Sequence, residues 1–378
     1  MTRNKGKSPD NDSKHGKNLM ALAWNSFFTD VSSEMVIPLF PIFLTSLGAT
    51  STFLGFVEGL AEFFAKALPL IIGYLIEKTK KVKIFAVIGY FVSNITKPLL
   101  AFVYHPIYAA LIRWADRIGK GIRGTPRDLL ISLDVKDKKK GKYFTFQKQF
   151  DKAGAIIGAL ISLILLNFFH VSLRMIFLIS VIPALFSIYL LSSKIKEPKR
   201  IKFENPKIDL KIFIRYPKVY FSISIMGFLL ISYGLFFAKF LSYSSAPFAY
   251  MLLNFSGLLA LHFLRNLSDK ISKKVQIKWL LLIFFLFYLG FSFVNNFYLA
   301  LLFIFFYGAL LNYSQILLIS RAAEVKEHRA IILGLTYLTL GIFSIFGNSF
   351  FGFLMDTLGF SQTSFIFALI SLGSFFLI

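Results

Sequence analysis

Apolar runs of about twenty residues, each bounded by polar or charged segments, recur along the whole of this chain. A hydrocarbon core of about 30 Å takes about 20 helical residues to cross. Runs of that length fall near 19–43, 52–76, 83–104, 106–125, 143–167, 173–192, 218–240, 244–264, 278–295, 297–319, 330–354 and 361–378. They predict an all-α membrane protein with twelve transmembrane helices.

The connections alternate in charge. One set is basic: Arg3 to Lys17, Lys78 to Lys83, Lys136 to Lys142, Lys194 to Lys218, Lys270 to Lys278, and Arg321 to Arg329. The other set, near 44–51, 104–107, 167–174, 241–247, 295–297 and 355–361, contains Arg174 and no Lys. The positive-inside rule places the basic set and both termini in the cytoplasm of a cell whose inner membrane holds the protein. An odd number of spans would break this alternation. The longest basic connection, 193–217, separates a tail at 1–18 and six spans at 19–192 from six more at 218–378. Within it, IDLKIFIRY has the mixed pattern of an interfacial amphipathic helix.

Composition narrows the partners. A formal charge of +23 would suggest nucleic acid in a soluble protein. Here the bases concentrate between apolar runs, so the expected partner is the bilayer and no nucleic acid is expected. The first span carries two acids and two prolines, and is expected to be retained as a helix instead of being removed as a signal peptide. The chain has no Cys, which excludes disulfides and thiolate catalysis, and its five His are scattered. No metal or other cofactor is expected.

Charges inside the spans are the candidate chemistry, because a charge near mid-bilayer costs at least a few kcal/mol unless paired or facing a polar cavity. Asp30 and Glu34 lie in the first span, Glu58, Glu62 and Lys66 in the second, Lys97 in the third, and Arg113 and Asp116 in the fourth. Glu58, Glu62 and Lys66 share one helix face by their spacing. Counting helical rise puts Asp30, Glu62 and Asp116 at similar depth on three helices. Two roles stay open for these acids: structural ion pairs, or carboxylates that contact substrate or carry a proton. Asp30 has no base at helical spacing in its own span and is the first choice for the proton site. Further down the fourth span come Arg117, Lys120, Arg123, Arg127 and Asp128. Gln147, Lys148, Asp151 and Lys152 meet them on the fifth, as structural or gating ion pairs towards the cytoplasm. The second group of spans is nearly free of charge, and Tyr233, Asn254, Asn312, Gln315 and Asn348 are its main polar residues.

Two short features repeat. Glu77-Lys78-Thr79-Lys80-Lys81 after the second span matches Asp269-Lys270-Ile271-Ser272-Lys273 after the eighth, 192 positions on. Leu-Leu-Ile-Ser ends the fourth span at Ser132 and the tenth at Ser320, 188 positions on. A six-span parallel repeat is a transporter architecture.

Gly73-Tyr-Leu-Ile-Glu77-Lys78-Thr-Lys80-Lys81 resembles the major facilitator superfamily signature G-x-L-x-D-R-x-G-R-[RK], with Lys80 at a turn glycine. FTDVSSEMVIPLFPIF, GFVEGLAEFFAK and ADRIGKGIRGTPRDLLIS resemble a prokaryotic branch of that superfamily. The resemblance spans nearly the whole chain and implies two pseudo-symmetric six-helix bundles. It implies a cytoplasmic gate that includes Gly73, Glu77, Lys78, Lys81, Asp269 and Lys270, with the fourth- and fifth-span charges Arg117, Arg123, Arg127, Asp128, Lys148 and Asp151. Gly154 and Gly158 partly match the antiporter G-x-x-x-G, a spacing that also serves helix packing.

These readings point to a monomeric secondary transporter of a small solute, working by alternating access, with protons as the coupling ion and export favoured over import. Uncoupled import or facilitation is the alternative. A membrane-embedded enzyme is the remote one, since the chain contains no H-E-x-x-H, G-x-S-x-G or P-loop.

Overall fold

The computed structural model describes residues 12–134, 140–195, 197, 212–264, 271–322, 324 and 329–378. Asp269 and Lys270, the tail to residue 11 and most of the 193–217 connection lie outside the described residues. The described residues form helices and connections without a strand. In order they are α1 (Asp12–Val36), α2 (Phe40–Ser46), α3 (Ser51–Thr79), α4 (Lys83–Leu99), α5 (Pro106–Asp134), α6 (Lys140–Asn167), α7 (Leu173–Ile179) and α8 (Val181–Lys194). Then follow α9 (Ile212–Arg215), α10 (Pro217–Leu229), α11 (Tyr233–Phe240), α12 (Ala246–Leu264), α13 (Lys273–Phe291), α14 (Phe297–Ala322), α15 (Arg329–Leu358) and α16 (Phe360–Leu377).

Ten helical segments among the described residues are long and apolar enough to cross a membrane. Helix α5 has the length, at 29 residues, but is too charged to count among them. In α12 the apolar stretch is the shorter Ala246–Ala260. The predicted spans lie on these segments with shifted ends. The fourth continues past 125 to Asp134, and the ninth begins at Lys273, ahead of the expected 278. Lysines such as Lys273, Lys274 and Lys278 carry long apolar stems, so a helix can begin before its apolar run does. The first, sixth and seventh predicted spans are each two helices, α1–α2, α7–α8 and α10–α11. Of the expected amphipathic linker helix, the described part is the single turn of α9.

Helix starts follow local sequence. Thr50, Ser172 and Ser272 accept hydrogen bonds from the backbone N–H groups of Phe53, Met175 and Val275, which otherwise lack helical partners. Helix α3 ends at Lys80, which takes the left-handed conformation (φ 58°) where the superfamily motif has glycine. The turn is therefore kept despite the substitution.

The most extensive helix contact joins α3 to α15. Glycine makes it possible: a Cβ on Gly55 would lie 2.1 Å from the Asn348 carbonyl oxygen, and one on Gly352 2.2 Å from that of Ser51. Gly154 and Gly158 of α6 similarly abut the backbone of α1 at Phe27 and Val31. One large apolar core joins residues before and after the 193–217 connection. A smaller one, around Leu22, Ile76, Tyr90, Ile131 and Leu191, lies at the end of the first group that carries the basic connections. Phe91, Phe186, Tyr189, Phe306, Phe346 and Phe376 are exposed on the outside. Phe102, Tyr104, Phe168, Phe169, Phe293 and Tyr298 are exposed in or beside connections of the Lys-free set, as expected of an interfacial aromatic belt.

Candidate functional site

Two helix interruptions define the site. Between α1 and α2 the chain makes a turn at Ile37–Leu39, where Pro38 lacks an N–H and Pro41 starts the next helix. Between α10 and α11 it unwinds at Leu230–Ser232, about one repeat later: Ile37 and Leu230 stand 193 positions apart. The second interruption contains no proline or glycine. Side chains from other helices satisfy its freed backbone groups instead. Tyr288 donates to the Leu229 carbonyl at 2.7 Å, Tyr307 to that of Ile231, and the Ser232 N–H donates to Asn348 Oδ1 at 2.6 Å. Irregular backbone at membrane depth is tolerated where such partners or a polar cavity serve it.

A cavity of about 160 Å³ opens between the two interruptions. Ile37, Leu230, Ile231 and Ser232 contribute to its wall. Glu34, Glu58, Glu62, Lys66, Arg113, Arg117 and Lys120 line one side, and Tyr233, Tyr250, Gln315, Ser344 and Asn348 the other.

Most of these charges are paired. Arg113 donates through Nε and Nη2 to the two Glu58 carboxylate oxygens, each at 2.9 Å, and its guanidinium lies over the Phe40 ring. Ser232 also donates to Glu58, at 3.2 Å, so this buried pair touches the second interruption. Lys66 and Glu62 pair at 3.1 Å one turn apart. Glu34 is buried, with Oε2 lacking a hydrogen-bond partner. Arg117 is buried too, and its Nε lies 3.9 Å from Asp116 without hydrogen-bonding.

The three acids counted to one depth are not brought to one place. Glu62 lines the cavity. Asp116 is held aside on the α4-facing side of α5 by Lys97 Nζ at 3.2 Å and Ser93 Oγ at 2.9 Å. Asp30 faces Arg123 Nη2 at 3.7 Å, and the Arg123 guanidinium lies over the Tyr90 ring. Lower down, Arg127 bridges Asp128 at 3.0 Å and Asp151 at 3.4 Å, while Gln147 and Lys148 also approach Asp151. Lys152 donates to Asn254 Oδ1 at 3.1 Å, linking α6 to α12. Around the signature motif, Gly73 and Glu77 line a separate cavity between α3, α5 and α15, and Lys78 and Lys81 are exposed. Glu77 Oε2 lacks a hydrogen-bond partner.

Sequence reasoning put Arg117 with the gate, but it lines the central cavity. Arg113, Arg117 and Lys120 are spaced by four and three residues, a one-face pattern that identifies them as a set. Ser232, Tyr250 and Ser344 carried no such signal. Among the described residues no cluster of His, Asp and Glu is arranged to hold a metal ion.

Residues 22–335 match the Major Facilitator Superfamily. The chain belongs to the major facilitator superfamily. It is 32% identical over 376 residues to an uncharacterized MFS-type transporter of Methanocaldococcus jannaschii, covering 93% of this chain and 92% of that protein. Its fold is similar to that of the nucleoside transporter NupG (TM-score 0.80, 15% identity, 95% of this chain and 98% of that one). It is also similar to a bacterial homologue of the lysosomal transporter Spinster (TM-score 0.72, 14% identity, 98% and 97%). The protein is thus a multi-pass membrane transporter of this superfamily and not an enzyme.

Proposed function

We propose that this protein is a monomeric secondary transporter that carries a small solute through the inner membrane by alternating access. Two six-helix halves, 19–192 and 218–378, rock about the central cavity, with twelve spans and both termini in the cytoplasm. The observation that carries this reading is the cavity itself, set where one interrupted helix from each half meets the other. Interrupted helices at corresponding repeat positions are the expected mark of a transport site.

The proposed state is closed at the outer end. There Asp356 of α15 accepts the Ser51 and Thr52 N–H groups at 2.9 and 2.7 Å and the Thr52 hydroxyl at 2.7 Å, capping α3. Asn167 of α6 donates to the Ser244 carbonyl before α12 at 3.1 Å. Asp356 and Asn167 stand 189 positions apart, and Ser51 and Ser244 stand 193 apart, so the two ties are repeat counterparts. At the other end Glu77 and its motif support the gating role, since the motif lines open space beside α15.

Proton coupling is assigned to Asp30 and Glu34, one turn apart on α1. Export is the direction favoured by the partial antiporter pattern, although Gly154 and Gly158 also serve packing against α1. The deciding experiment is uptake and efflux in proteoliposomes with and without a pH gradient, for wild type, Asp30→Asn and Glu34→Gln. Gradient-driven flux in wild type, lost in at least one variant, is expected. Flux that ignores the gradient in all three removes the coupling assignment.

A further inference from the structure

We infer that the transported solute is a small organic anion of charge −1, bound by Arg117 and Lys120 against Gln315 and Tyr233. This rests on the proposal that the central cavity is the transport site. With all groups ionised, three acids on the cavity wall (Glu34, Glu58 and Glu62) face four bases (Lys66, Arg113, Arg117 and Lys120), a surplus of one positive charge. The neighbouring Asp116 does not cancel it, because Lys97 pairs with Asp116 at 3.2 Å. An uncompensated charge in a low-dielectric cavity is unfavourable, and a ligand of opposite charge removes the imbalance.

The hydrogen bonding locates the surplus. Arg113 and Lys66 are engaged by Glu58 and Glu62. Arg117 is buried and makes no hydrogen bond to a described residue; its Nε lies 3.9 Å from Asp116, an acid that Lys97 already holds at 3.2 Å. Lys120, one turn along the same face, has no ion pair within 4 Å among the described residues. Across the cavity, Asn348 is occupied by the Ser232 N–H and by Ser344. Gln315 and Tyr233 make no hydrogen bonds to described residues and line the same space. The groups left without hydrogen bonds are therefore two cations on α5 and, opposite them, an amide and a phenol on α14 and α11. A planar guanidinium is suited to a carboxylate or a phosphate diester, each of charge −1. The amide and phenol suit a hydroxyl-bearing or aromatic body. Such a ligand would contact both halves of the chain at once, so its binding could be felt by the rocking motion.

The test uses the full chain purified in detergent and probes that share a body and differ in charge: gluconate, glucose and glucosamine, and benzoate, benzamide and benzylamine. The expected result is thermal stabilisation by anionic members alone. Arg117→Gln should weaken that binding roughly 10- to 100-fold, Arg117→Lys should restore part of it, and Lys120→Gln should give a smaller loss. Stabilisation by the neutral or cationic members, no stabilisation by either anion, or undiminished anion binding in Arg117→Gln overturns the assignment. If Arg117→Gln does not fold, the exposed Lys120→Gln replaces it, and undiminished binding there is the overturning result. Vesicle flux separates the two layers. A bound anion that is not carried leaves the anion site and removes the transport proposal. Carriage of glucose or benzamide unaffected by the anions leaves transport and removes the anion site.

Discussion

The interruptions at Ile37–Leu39 and Leu230–Ser232 occupy corresponding places in the two halves of the chain, yet they are held by different means. The first is written into its own segment by Pro38 and Pro41 and is surrounded by ionisable side chains on α1, α3 and α5. The second depends on neutral groups from elsewhere, Tyr288, Tyr307 and Asn348, which bond the backbone directly. One half therefore supplies the charge of the site, and the other supplies hydroxyl and amide groups. A site divided in this way can fix a ligand's charged group on one half and its polar body on the other.

The largest expected effect comes from unpairing the charged side. Arg113→Ala leaves Glu58 ionised and buried without its bidentate partner, and breaking such a pair costs about 3–5 kcal/mol. Tyr307→Phe, on the neutral side, leaves only the Ile231 carbonyl unsatisfied, which costs about 1–3 kcal/mol. Thermal unfolding of the two variants in one detergent should therefore rank Arg113→Ala well below Tyr307→Phe. Equal losses would mean that the charged and neutral supports are not distinct in strength.

The two sides also differed in how readily the sequence disclosed them. Spans, alternating loops and buried charges were legible because lipid imposes length and charge rules on each segment separately. Pro38 and Pro41 made the first interruption legible in principle. Nothing in Leu229-Leu230-Ile231-Ser232 announces the second, because its causes are side chains 56 or more positions away, on helices whose facing is set by packing. Arg117 was assigned to the gate by its depth along α5. Depth is read from residue number, but the face a residue presents depends on its spacing from Arg113 and Lys120. Asp116 shows the converse: its depth suited the cavity, yet one residue's rotation from Arg117 turned it towards Lys97 and Ser93.

The outer ties offer a smaller, sharper comparison, since they too are repeat counterparts with one charged and one neutral member. Asp356→Asn keeps one acceptor at the α3 N-terminus and removes the negative charge, with an expected loss of about 1 kcal/mol. Asn167→Ala removes one neutral bond. Because the chain has no Cys, a cysteine at Ile37 is the sole thiol and reports opening to an impermeant maleimide. Asp356→Asn should raise labelling from the outer face several-fold, and Asn167→Ala should raise it less. Unchanged labelling in both would show that neither tie holds that end shut.

The smallest effect is expected at the turn that follows the second and eighth spans. Lys80 occupies the left-handed region (φ 58°), whereas its repeat counterpart Ser272 has φ −59° and caps α13. A left-handed conformation costs a residue with a Cβ about 1–2 kcal/mol. Glycine relieves that strain but gains about 0.4–1 kcal/mol of freedom in the unfolded chain. Lys80→Gly should therefore stabilise the protein slightly, by about 0 to 1.6 kcal/mol after that offset. Ser272→Gly should do the opposite, because it surrenders a helix cap without relieving any strain, at a cost of a few tenths of a kcal/mol. Opposite shifts of the unfolding temperature check the pair. A loss of stability in Lys80→Gly would mean that the lysine side chain, which has an interaction of its own, contributes more than its backbone strain costs.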